Sequence, residues 1–595
     1  MQNEAPILLP QKRRHRSRKK MVLSVVYFLA TMLFVIAVQG AYLAYIVGIL
    51  TNLERRFGIS SKKSGALLSF YDIGHTVSVI LIGFLANDKH LPRITAIGVI
   101  LSSMSMFILA LPMVLFRTKS FGETSLSQYK QEYILKNICD PSRIIGHSEE
   151  NCELQEEEHF LEFCILVIGQ IVAGIAAAPF NTVAYVYVDN NLEDKTKSPF
   201  YLSLLSSMYA FAPTFGFALS ASVTSDAWIG AWWLGFIIFG LLYLAGAIPL
   251  FFFPKNDYLI RDRLFNSVEK FLEFPGLIKN PVFTSMIIGW MFGSYLISGY
   301  STYLPKYIET QFGQSASAAD TYAGLISIGS IAVSTALGGY LLTKFNPSPQ
   351  KALLFLIATW SVIIITYMIG AIIGCDEAQM KQLLSDTINE LVKFNLTVLF
   401  NPVNYHMINY FSPCHAGCRE YNFQLQKWDS CLCADNGPVE SGLYLDECDG
   451  IFIYIVSMFT GLFFGNLFFM TTMMVVLRKI SVTLDFTIIF MYYFAGFIPA
   501  PVIFGWIIDE DCLLWHSRCP HDHGNCVIYD NKAFRQSFHL TSATFQILAV
   551  ISVIICYVFS CKFTFPEEEG EAVYDEYSEK QDGSISPSYV VQTIL

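Results

Sequence analysis

The chain has 595 residues, of which 53% are hydrophobic and 15% are charged, and its 39 Lys and Arg against 49 Asp and Glu give a formal net charge of −10. Its mean hydropathy is +0.45. These values exclude a water-soluble globular protein, in which about 25% of residues are charged, and they indicate a membrane protein.

Long apolar stretches follow one another along the chain. A bilayer core about 30 Å thick requires roughly 20 apolar residues per helix. By this measure the sequence predicts twelve transmembrane helices, near residues 22–50, 64–86, 93–117, 161–186, 199–223, 229–253, 281–305, 319–343, 352–374, 451–477, 485–508 and 539–562. The predicted fold class is therefore an all-α polytopic membrane protein.

A basic run precedes the first predicted helix. The sequence QKRRHRSRKK has seven Lys or Arg between positions 11 and 20. The positive-inside rule places this run in the cytoplasm, whereas nuclear localisation or nucleic-acid binding is the alternative meaning of such a run. An even number of helices then puts both termini in the cytoplasm. The apolar run from Met21 is too long for a cleavable signal peptide, and the plasma membrane is the expected location.

Eleven of the 14 cysteines fall in loops that this topology places outside the cell, where disulfides persist. The disulfide candidates are Cys139, Cys152, Cys414, Cys418, Cys431, Cys433, Cys448, Cys512, Cys519 and Cys526. The eleventh is Cys375, so one cysteine is free, pairs between molecules, or marks a misplaced boundary. Asn395 begins an Asn-x-Thr sequence in the same loop and is a glycosylation candidate.

The twelve predicted helices divide into two groups of six around a cytoplasmic linker. The predicted layout is an N-terminal tail (1–21), a first half (22–253) with an extracellular loop (118–160), the linker (254–280), a second half (281–562) with extracellular loops at 375–450 and 509–538, and a C-terminal tail (563–595). This is the layout of a major facilitator transporter, in which substrate binds between the halves near the midplane.

The stretch DAWIGAWWLGF, residues 226–236, begins at an outer membrane boundary and contains Trp228, Gly230, Trp232 and Trp233. Tryptophan is enriched at such boundaries, and the fixed spacing predicts packing around an outer gate. The stretch resembles the signature of the organic anion transporting polypeptides, a solute carrier family. Further stretches match that family in chain order: NLERRFGISS (52–61), YDIGHTVSV (71–79), DKHLPR (88–93), GQIVAGIAAAP (169–179), SPCHAGC (412–418) and IPAPVIFGWIIDEDCLLW (498–515).

The resemblance implies sodium-independent uptake or exchange of large amphipathic organic anions, such as steroid conjugates, bile acids, prostanoids and thyroid hormones. No enzyme activity, cofactor or metal is expected, because the sequence has no phosphate-binding loop, metal cluster or nucleophile arrangement. Two alternatives remain open. One is a proton-coupled carrier of other organic solutes, and the other is a surface receptor or scaffold.

Two positions at which the family carries an arginine inside a helix hold Ala173 and Tyr493 here. Every Lys and Arg lies in a loop, a tail or at the edge of a predicted helix, so other groups have to hold a substrate anion. The tentative substrate-binding residues are therefore Gln39, His75, Gln170 and Tyr493. Hydrogen bonding between helices explains the glutamines equally well.

Asp72 and His75 are candidates for proton coupling. A histidine titrates near neutral pH, and a carboxylate within a helix that spans a membrane is costly unless it is paired or faces water. The alternatives are a structural, hydrogen-bonded His75 and an Asp72 close enough to the helix end to be solvated.

Two peripheral segments complete the predictions. The loop 375–450 is Kazal-like in the resemblance but lacks the cysteines expected ahead of SPCHAGC, so a truncated module acting as an extracellular lid is expected. The final residues QTIL, with Thr593 and Leu595, have the pattern that PDZ domains bind as an added strand.

Overall fold

The computed structural model describes most of the chain. It leaves out residues 1–10, 86–89, 116–148, 192–197, 225–230, 254–280, 328–329, 331–332, 346–347, 376–402, 407, 411, 414–415, 419, 423–426, 436, 442–449, 479–491, 517–523 and 563–595. We call residues 11–253 the N-terminal segment and residues 281–562 the C-terminal segment.

Apolar runs form helices because a helix satisfies its own backbone hydrogen bonds where water is excluded. The described helices of the N-terminal segment are α1 (Gln11–Gly48), α2 (Leu50–Phe57), α3 (Ser61–Leu85), α4 (Leu91–Leu115), α5 (Glu149–Asn191), α6 (Ser198–Thr224) and α7 (Trp232–Leu250). Those of the C-terminal segment are α8 (Pro281–Tyr295), α9 (Ser301–Phe312), α10 (Ala316–Ser327), α11 (Val333–Phe345), α12 (Pro349–Ile372), α13 (Gly450–Arg478), α14 (Pro499–Glu510) and α15 (Asn531–Lys562). Short π-helical turns, Leu296–Tyr300 and Tyr492–Phe497, precede α9 and α14.

Within the described residues, eight helices are long and apolar enough to cross a membrane. They are Val26–Gly48, Leu91–Leu115, Phe160–Val183, Trp232–Leu250, Pro281–Phe312, Gln350–Ile372, Gly450–Leu467 and Asn531–Cys561. Each overlaps a predicted transmembrane helix, so at eight of the twelve predicted places the structure has a helix of the required length and composition. At the other four places the structure has α3, α6, the pair α10 and α11, and α14, and the total of twelve stays a prediction.

The hydrophobic core consists of separate clusters that follow the two segments. One cluster is built entirely from the N-terminal segment, between Phe28 and Leu250. A second is built entirely from the C-terminal segment, between Phe283 and Cys556. The buried members of a third cluster come from the C-terminal segment except for three, Ala44, Leu50 and Phe217, which reach it from the N-terminal segment. Those three side chains therefore mark where the segments touch.

The described β-structure is short and lies between helices of the C-terminal segment. Its strands are β1 (Val403–Tyr405), β2 (Ile408–Tyr410), β3 (Glu420–Asn422), β4 (Lys427–Asp429), β5 (Glu440–Ser441), β6 (Cys512–His516) and β7 (Asn525–Tyr529). They form a three-stranded sheet ordered β2-β1-β5 and the hairpins β3-β4 and β6-β7, all antiparallel. Trp428 is fully buried in a small core beside the Cys418–Cys431 disulfide, so the loop predicted as a lid contains folded structure.

Candidate functional site

Five buried side chains of the N-terminal segment form a hydrogen-bonded set that we call the tyrosine–glutamine network: Gln39, Tyr42, Tyr71, Gln170 and Tyr243. The Gln39 amide donates to the Tyr71 hydroxyl at 2.5 Å, and its oxygen accepts from the Tyr243 hydroxyl at 2.5 Å. The Tyr42 hydroxyl donates to the Gln170 oxygen at 2.8 Å. The network therefore joins α1 to α3, α5 and α7 through neutral groups.

His75 and Asp72 lie on α3 beside this network. The His75 ring stacks on the Tyr71 ring, with centroids 6.2 Å apart, and its Nε2 lies 3.4 Å from the Asn181 amide nitrogen. Asp72 is half-buried, and among the described residues no group hydrogen bonds to or pairs with its carboxylate. The structure thus brings Gln39, Gln170, His75 and Asp72 into one region.

Most polar atoms of this region are committed to other protein groups. Both ends of the Gln39 amide are used, and Gln39 is 2% exposed. The Gln170 nitrogen is buried and has no hydrogen-bond partner in the described part of the chain. Gln170 and Asp72 therefore retain polar atoms that a ligand could use, whereas Gln39 serves helix packing.

The C-terminal segment has an aromatic cluster instead. His539 is fully buried, and its Nδ1 donates to the Arg535 carbonyl at 3.0 Å. Four tyrosine rings pack around it: Tyr300, Tyr307, Tyr367 and Tyr454. The only polar link described between these tyrosines is the 2.8 Å contact of the Tyr300 and Tyr454 hydroxyls. This cluster is held chiefly by ring packing.

Most described polar contacts between the two segments lie at one end of the helices, and outside that end the Ser69 hydroxyl donates to the Ile498 carbonyl at 2.6 Å. We call that end the disulfide end and define it by Leu50–Ser61, Lys306–Asp320 and Asp509–Asn531, a region that contains the Cys512–Cys526 bond. Here Glu54 and Lys306 form an ion pair in which both side chains are 5% exposed. Lys306 also donates to the Ser61 hydroxyl at 2.7 Å, and the Ser64 hydroxyl donates to Glu54 at 2.6 Å. Burial raises the pKa of Glu54, and the Lys306 ammonium opposes that rise.

Other contacts surround this ion pair. The Asp509 carboxylate accepts hydrogen bonds from the backbone N–H groups of Ser61 and Lys62, at 2.9 and 2.8 Å, which caps the start of α3. Arg55 forms a second, partly exposed ion pair with Glu309. These contacts connect α2 and α3 to α9 and α14.

A third polar contact lies between α6 and α10. The Ser220 hydroxyl donates to the Asp320 carboxylate at 2.5 Å, and the two residues are 0% and 1% exposed. A Cβ placed on Gly48 would lie 2.9 Å from the Asp320 oxygen, so α1 also reaches this point. The absence of a side chain at Gly48 allows the three helices to meet.

The described part of the tryptophan signature packs against α1. Trp232 is buried, its ring meets Phe57 edge-on at 5.6 Å, and its carbonyl accepts from the Tyr45 hydroxyl at 2.6 Å. The same hydroxyl accepts from the Gly235 N–H at 3.2 Å. Trp233 is partly buried against the same core, whereas Trp228 and Gly230 lie outside the described residues.

Several predicted residues have no described side chain. Tyr493 lies in the second π-helical turn, and its side chain is not described. The predictions for Cys139, Cys152, Cys414, Cys433, Cys448, Cys519, Asn395, Thr593 and Leu595 likewise concern residues or side chains outside the description. Of the predicted disulfide candidates, Cys418 is bonded to Cys431 and Cys512 to Cys526, and Cys375 is also disulfide-bonded.

Sequence reasoning did not single out Glu54, Lys306 or Asp320. The only sequence signal was a charged residue next to an apolar run. Such charges are usual near helix ends in membrane proteins, where they contact water. The expectation that every Lys and Arg lies in a loop, a tail or at a helix edge is wrong for Lys306, which lies within α9 and is buried. Among the described residues, no group of three or more His, Cys, Asp or Glu could hold a metal ion.

The chain is similar in sequence to known proteins over most of its length. Residues 27–534 match the model of the Organic Anion Transporter Polypeptide family. The chain is 25% identical to Solute carrier organic anion transporter family member 74D of Drosophila melanogaster, over 89% of this chain and 73% of that protein. It is 25% identical to member 2B1 of Homo sapiens, over 83% and 82%.

Solved structures resemble the fold. A D-xylose-proton symporter matches with a TM-score of 0.54 at 12% identity, covering 92% of this chain and 99% of that one. A bacterial homologue of the human lysosomal transporter Spinster, in an inward-facing, unoccupied conformation, matches with a TM-score of 0.53 at 12% identity, covering 91% and 98%. At this identity the likeness establishes the fold, which is that of major facilitator transporters.

Proposed function

Because the chain belongs to the Organic Anion Transporter Polypeptide family, we propose that it is a plasma-membrane carrier for large amphipathic organic anions. Its substrates are steroid conjugates, bile acids, prostanoids or thyroid hormone-like compounds, moved without sodium coupling by uptake or exchange. The names of its relatives describe organic anion transporters. The high aromatic content, 15% of residues, suits apolar substrate bodies.

The proposed architecture has twelve helices in two halves, 22–253 and 281–562, with both termini in the cytoplasm. The separate hydrophobic cores of the two segments support this division. The disulfide end faces outward in this arrangement. The basic run at residues 11–20 and the bonds Cys418–Cys431 and Cys512–Cys526 support that orientation.

The contacts at the disulfide end are the observation on which alternating access rests. Glu54 with Lys306, Arg55 with Glu309, and Ser220 with Asp320 join the segments on that side. These contacts support the proposal that this arrangement is a state closed to the outside. Substrate entry from outside requires these contacts to break while each segment keeps its own core.

Uptake of a radiolabelled steroid sulfate into cells that express the chain tests this function. We expect uptake above that of mock-transfected cells, unchanged when external sodium is replaced by choline. Preloading the cells with unlabelled steroid sulfate should accelerate labelled uptake if the carrier exchanges anions. Uptake equal to that of mock cells for a panel of sulfated steroids, bile acids and prostanoids, with the protein at the surface, would contradict the proposal.

A proton-coupled carrier of other organic solutes is the second candidate, favoured by Asp72. Its half-buried carboxylate lacks a described cation partner, and Ala173 and Tyr493 replace two arginines of the family pattern. Asp72→Asn should then abolish any stimulation of uptake by an inward proton gradient. A stimulation that survives in Asp72→Asn and is lost in His75→Ala would assign the proton to the histidine.

Peripheral roles complete the proposal. The loop 375–450 forms a rigid cover outside, Asn395 is glycosylated, and the QTIL terminus binds a cytoplasmic PDZ domain through Thr593 and Leu595. Removal of residues 592–595 should lower surface abundance. Unchanged abundance would leave no role for such a partner in retention.

A further inference from the structure

Asp320 is a buried carboxyl group at a contact between the two segments, with only a hydroxyl group bonded to it. It is 1% exposed, and its Oδ2 accepts from the Ser220 hydroxyl at 2.5 Å. Glu54, at the same end, has Lys306 as a counter-ion. Within the described residues Asp320 has no such cation, which sets it apart from the other buried carboxylate of this region.

Helices α6 and α1 both contact Asp320. From α6 it meets Ser220, and from α1 it meets Gly48, with the Tyr45 hydroxyl farther along the same helix. The Tyr45 hydroxyl is already bonded to the Trp232 carbonyl at 2.6 Å. Neither helix brings a positive charge to this point.

Of the other described helices, α9 and α13 also pack against α10. The charged group that α9 contributes is Glu309, a carboxylate that is ion-paired with Arg55. Residues Gly450–Leu467 of α13 include no charged residue, and the hydroxyl of Tyr454 there contacts that of Tyr300. The described polar groups that interact with Asp320 are therefore the Ser220 and Tyr45 hydroxyls and the Glu309 carboxylate.

We propose that Asp320 is a proton-binding site that couples closure of the disulfide end to the uptake of one proton from the outside solution. This inference rests on the alternating access proposed above. On closure an O–H bond forms on the Asp320 carboxyl, with the proton coming from external water. On opening, that bond breaks and the proton returns to the same solution, so no net proton is transported.

The physical reason is the difference between the two states of the contact. A carboxylate removed from water without a cation is strongly destabilised, whereas the neutral acid is not and can still hydrogen bond to Ser220. When the segments separate, water solvates the carboxylate, and an exposed aspartate is ionised near pH 7 because its ordinary pKa is about 3.9. The closed state therefore holds one more proton than the open state.

The sign of the pH effect follows from this proton count. Because the closed state binds the extra proton, raising the external pH favours the open state, by at most about tenfold per pH unit for one proton. Asp320→Asn places a neutral isostere at the contact. It should keep the end closed at all pH values and abolish the dependence.

Thiol accessibility measures opening without any transported substrate. Leu50 is 1% exposed in the cluster shared by the two segments, so a cysteine introduced by Leu50→Cys becomes reactive only when the disulfide end opens. Cells would be labelled from outside with a membrane-impermeant maleimide between pH 6 and 8. Each labelling rate would be divided by the rate at which the maleimide reacts with glutathione at the same pH. Labelling of the chain without Leu50→Cys would be subtracted as background.

We expect the corrected rate to rise several-fold across this range with Asp320 present and to stay flat with Asp320→Asn. Ser220→Ala should raise the rate at every pH while preserving the slope, because it removes a hydrogen bond but not the titrating group. Three results would overturn the inference. The labelling rate could still rise with pH in Asp320→Asn, it could stay constant with pH when Asp320 is present, or the protein that retains Asp320 could show no labelling at any pH.

Two comparisons separate this inference from the others. If the pH dependence of labelling is lost in Asp72→Asn but kept in Asp320→Asn, the proton is bound beside the tyrosine–glutamine network. That result would overturn the role of Asp320. A slope that depends on Asp320 in a chain that carries none of the tested anions would uphold the inference while the proposed substrate class fails.

Discussion

The tyrosine–glutamine network is neutral and lies within the N-terminal segment, whereas the contacts of the disulfide end include two ion pairs and join the two segments. Gln39 binds Tyr71 and Tyr243 through both ends of its amide. Glu54 and Lys306 place two opposite charges in a buried site instead. We expect the ion pair to open more readily than the neutral contacts.

The energetic difference appears when a contact opens. A charged pair that separates into water regains the hydration it lost on burial, so the net cost of opening is small relative to the attraction. Neutral groups inside a helical bundle have no water to replace their partners, and breaking them leaves unpaired hydroxyls. Ionic contacts therefore suit a surface that opens and closes, and neutral contacts suit helices that stay together.

The largest effect is expected for Lys306→Ala. Removing the ammonium leaves the Glu54 carboxylate buried without its counter-ion, which should destabilise the closed state by about 3–5 kcal/mol. Maleimide labelling at Leu50→Cys should then increase strongly. Adding Glu54→Gln should restore slow labelling. The control is Lys427→Ala, because the partner of Lys427, Glu440, is 61% exposed, and labelling equal to that of this control would contradict the role of the ion pair.

A smaller effect, of a different kind, is expected for Gln39→Leu. It removes the Gln39 hydrogen bonds to the Tyr71 and Tyr243 hydroxyls, which should lower the free energy of unfolding by about 1–3 kcal/mol. The Tm of the purified, detergent-solubilised protein should fall. Labelling at Leu50→Cys should not change, and an increase there would mean that the network also controls opening.

Asp509→Ala removes a helix cap and should have a more modest effect. The loss of hydrogen bonds to the Ser61 and Lys62 N–H groups should destabilise the closed contact by about 1 kcal/mol. That corresponds to a labelling rate roughly five times higher. Asp509→Asn, which keeps an acceptor oxygen, is the matched control. Its labelling rate should lie between those of Asp509→Ala and the protein that retains Asp509.

The smallest effect is expected for Arg55→Met. The Arg55 side chain is 34% exposed and its partner Glu309 12% exposed, and partly exposed ion pairs contribute at most about 1 kcal/mol. Labelling should change by at most about fivefold. At high salt, labelling of the protein that retains Arg55 should approach that of Arg55→Met. A change as large as that of Lys306→Ala would show that exposure does not rank these pairs.

Sequence periodicity and hydropathy predicted the helices because each depends on a local run of apolar residues. Gln39 and Gln170 were recognised as unusual for the same reason, since a polar side chain within an apolar run stands out. Their partners Tyr71 and Tyr42 were not predicted, because a tyrosine in such a run looks like packing.

Contacts between distant positions could not be derived from the sequence. Glu54 and Lys306 are 252 positions apart, and a charge next to an apolar run gives no sign of what it meets after folding. The pairs Cys418–Cys431 and Cys512–Cys526 were among the candidates, but the cysteines allow many pairings. The sequence predicted that Trp232 lies at a membrane boundary. Its hydrogen bond to Tyr45 could not be predicted, because it depends on how the helices pack.

The Tyr45 hydroxyl, placed between the Trp232 carbonyl and the Gly235 N–H, has a mechanical consequence. It fastens α1, just before Glu54, to the first turn of α7, and a side chain at Gly235 would collide with the Tyr45 ring. A force that pulls Glu54 toward Lys306 is thus transmitted to α7 rather than absorbed by a loose helix end. In the proposed alternating access, α7 would therefore move together with α1 when the Glu54–Lys306 contact forms or breaks.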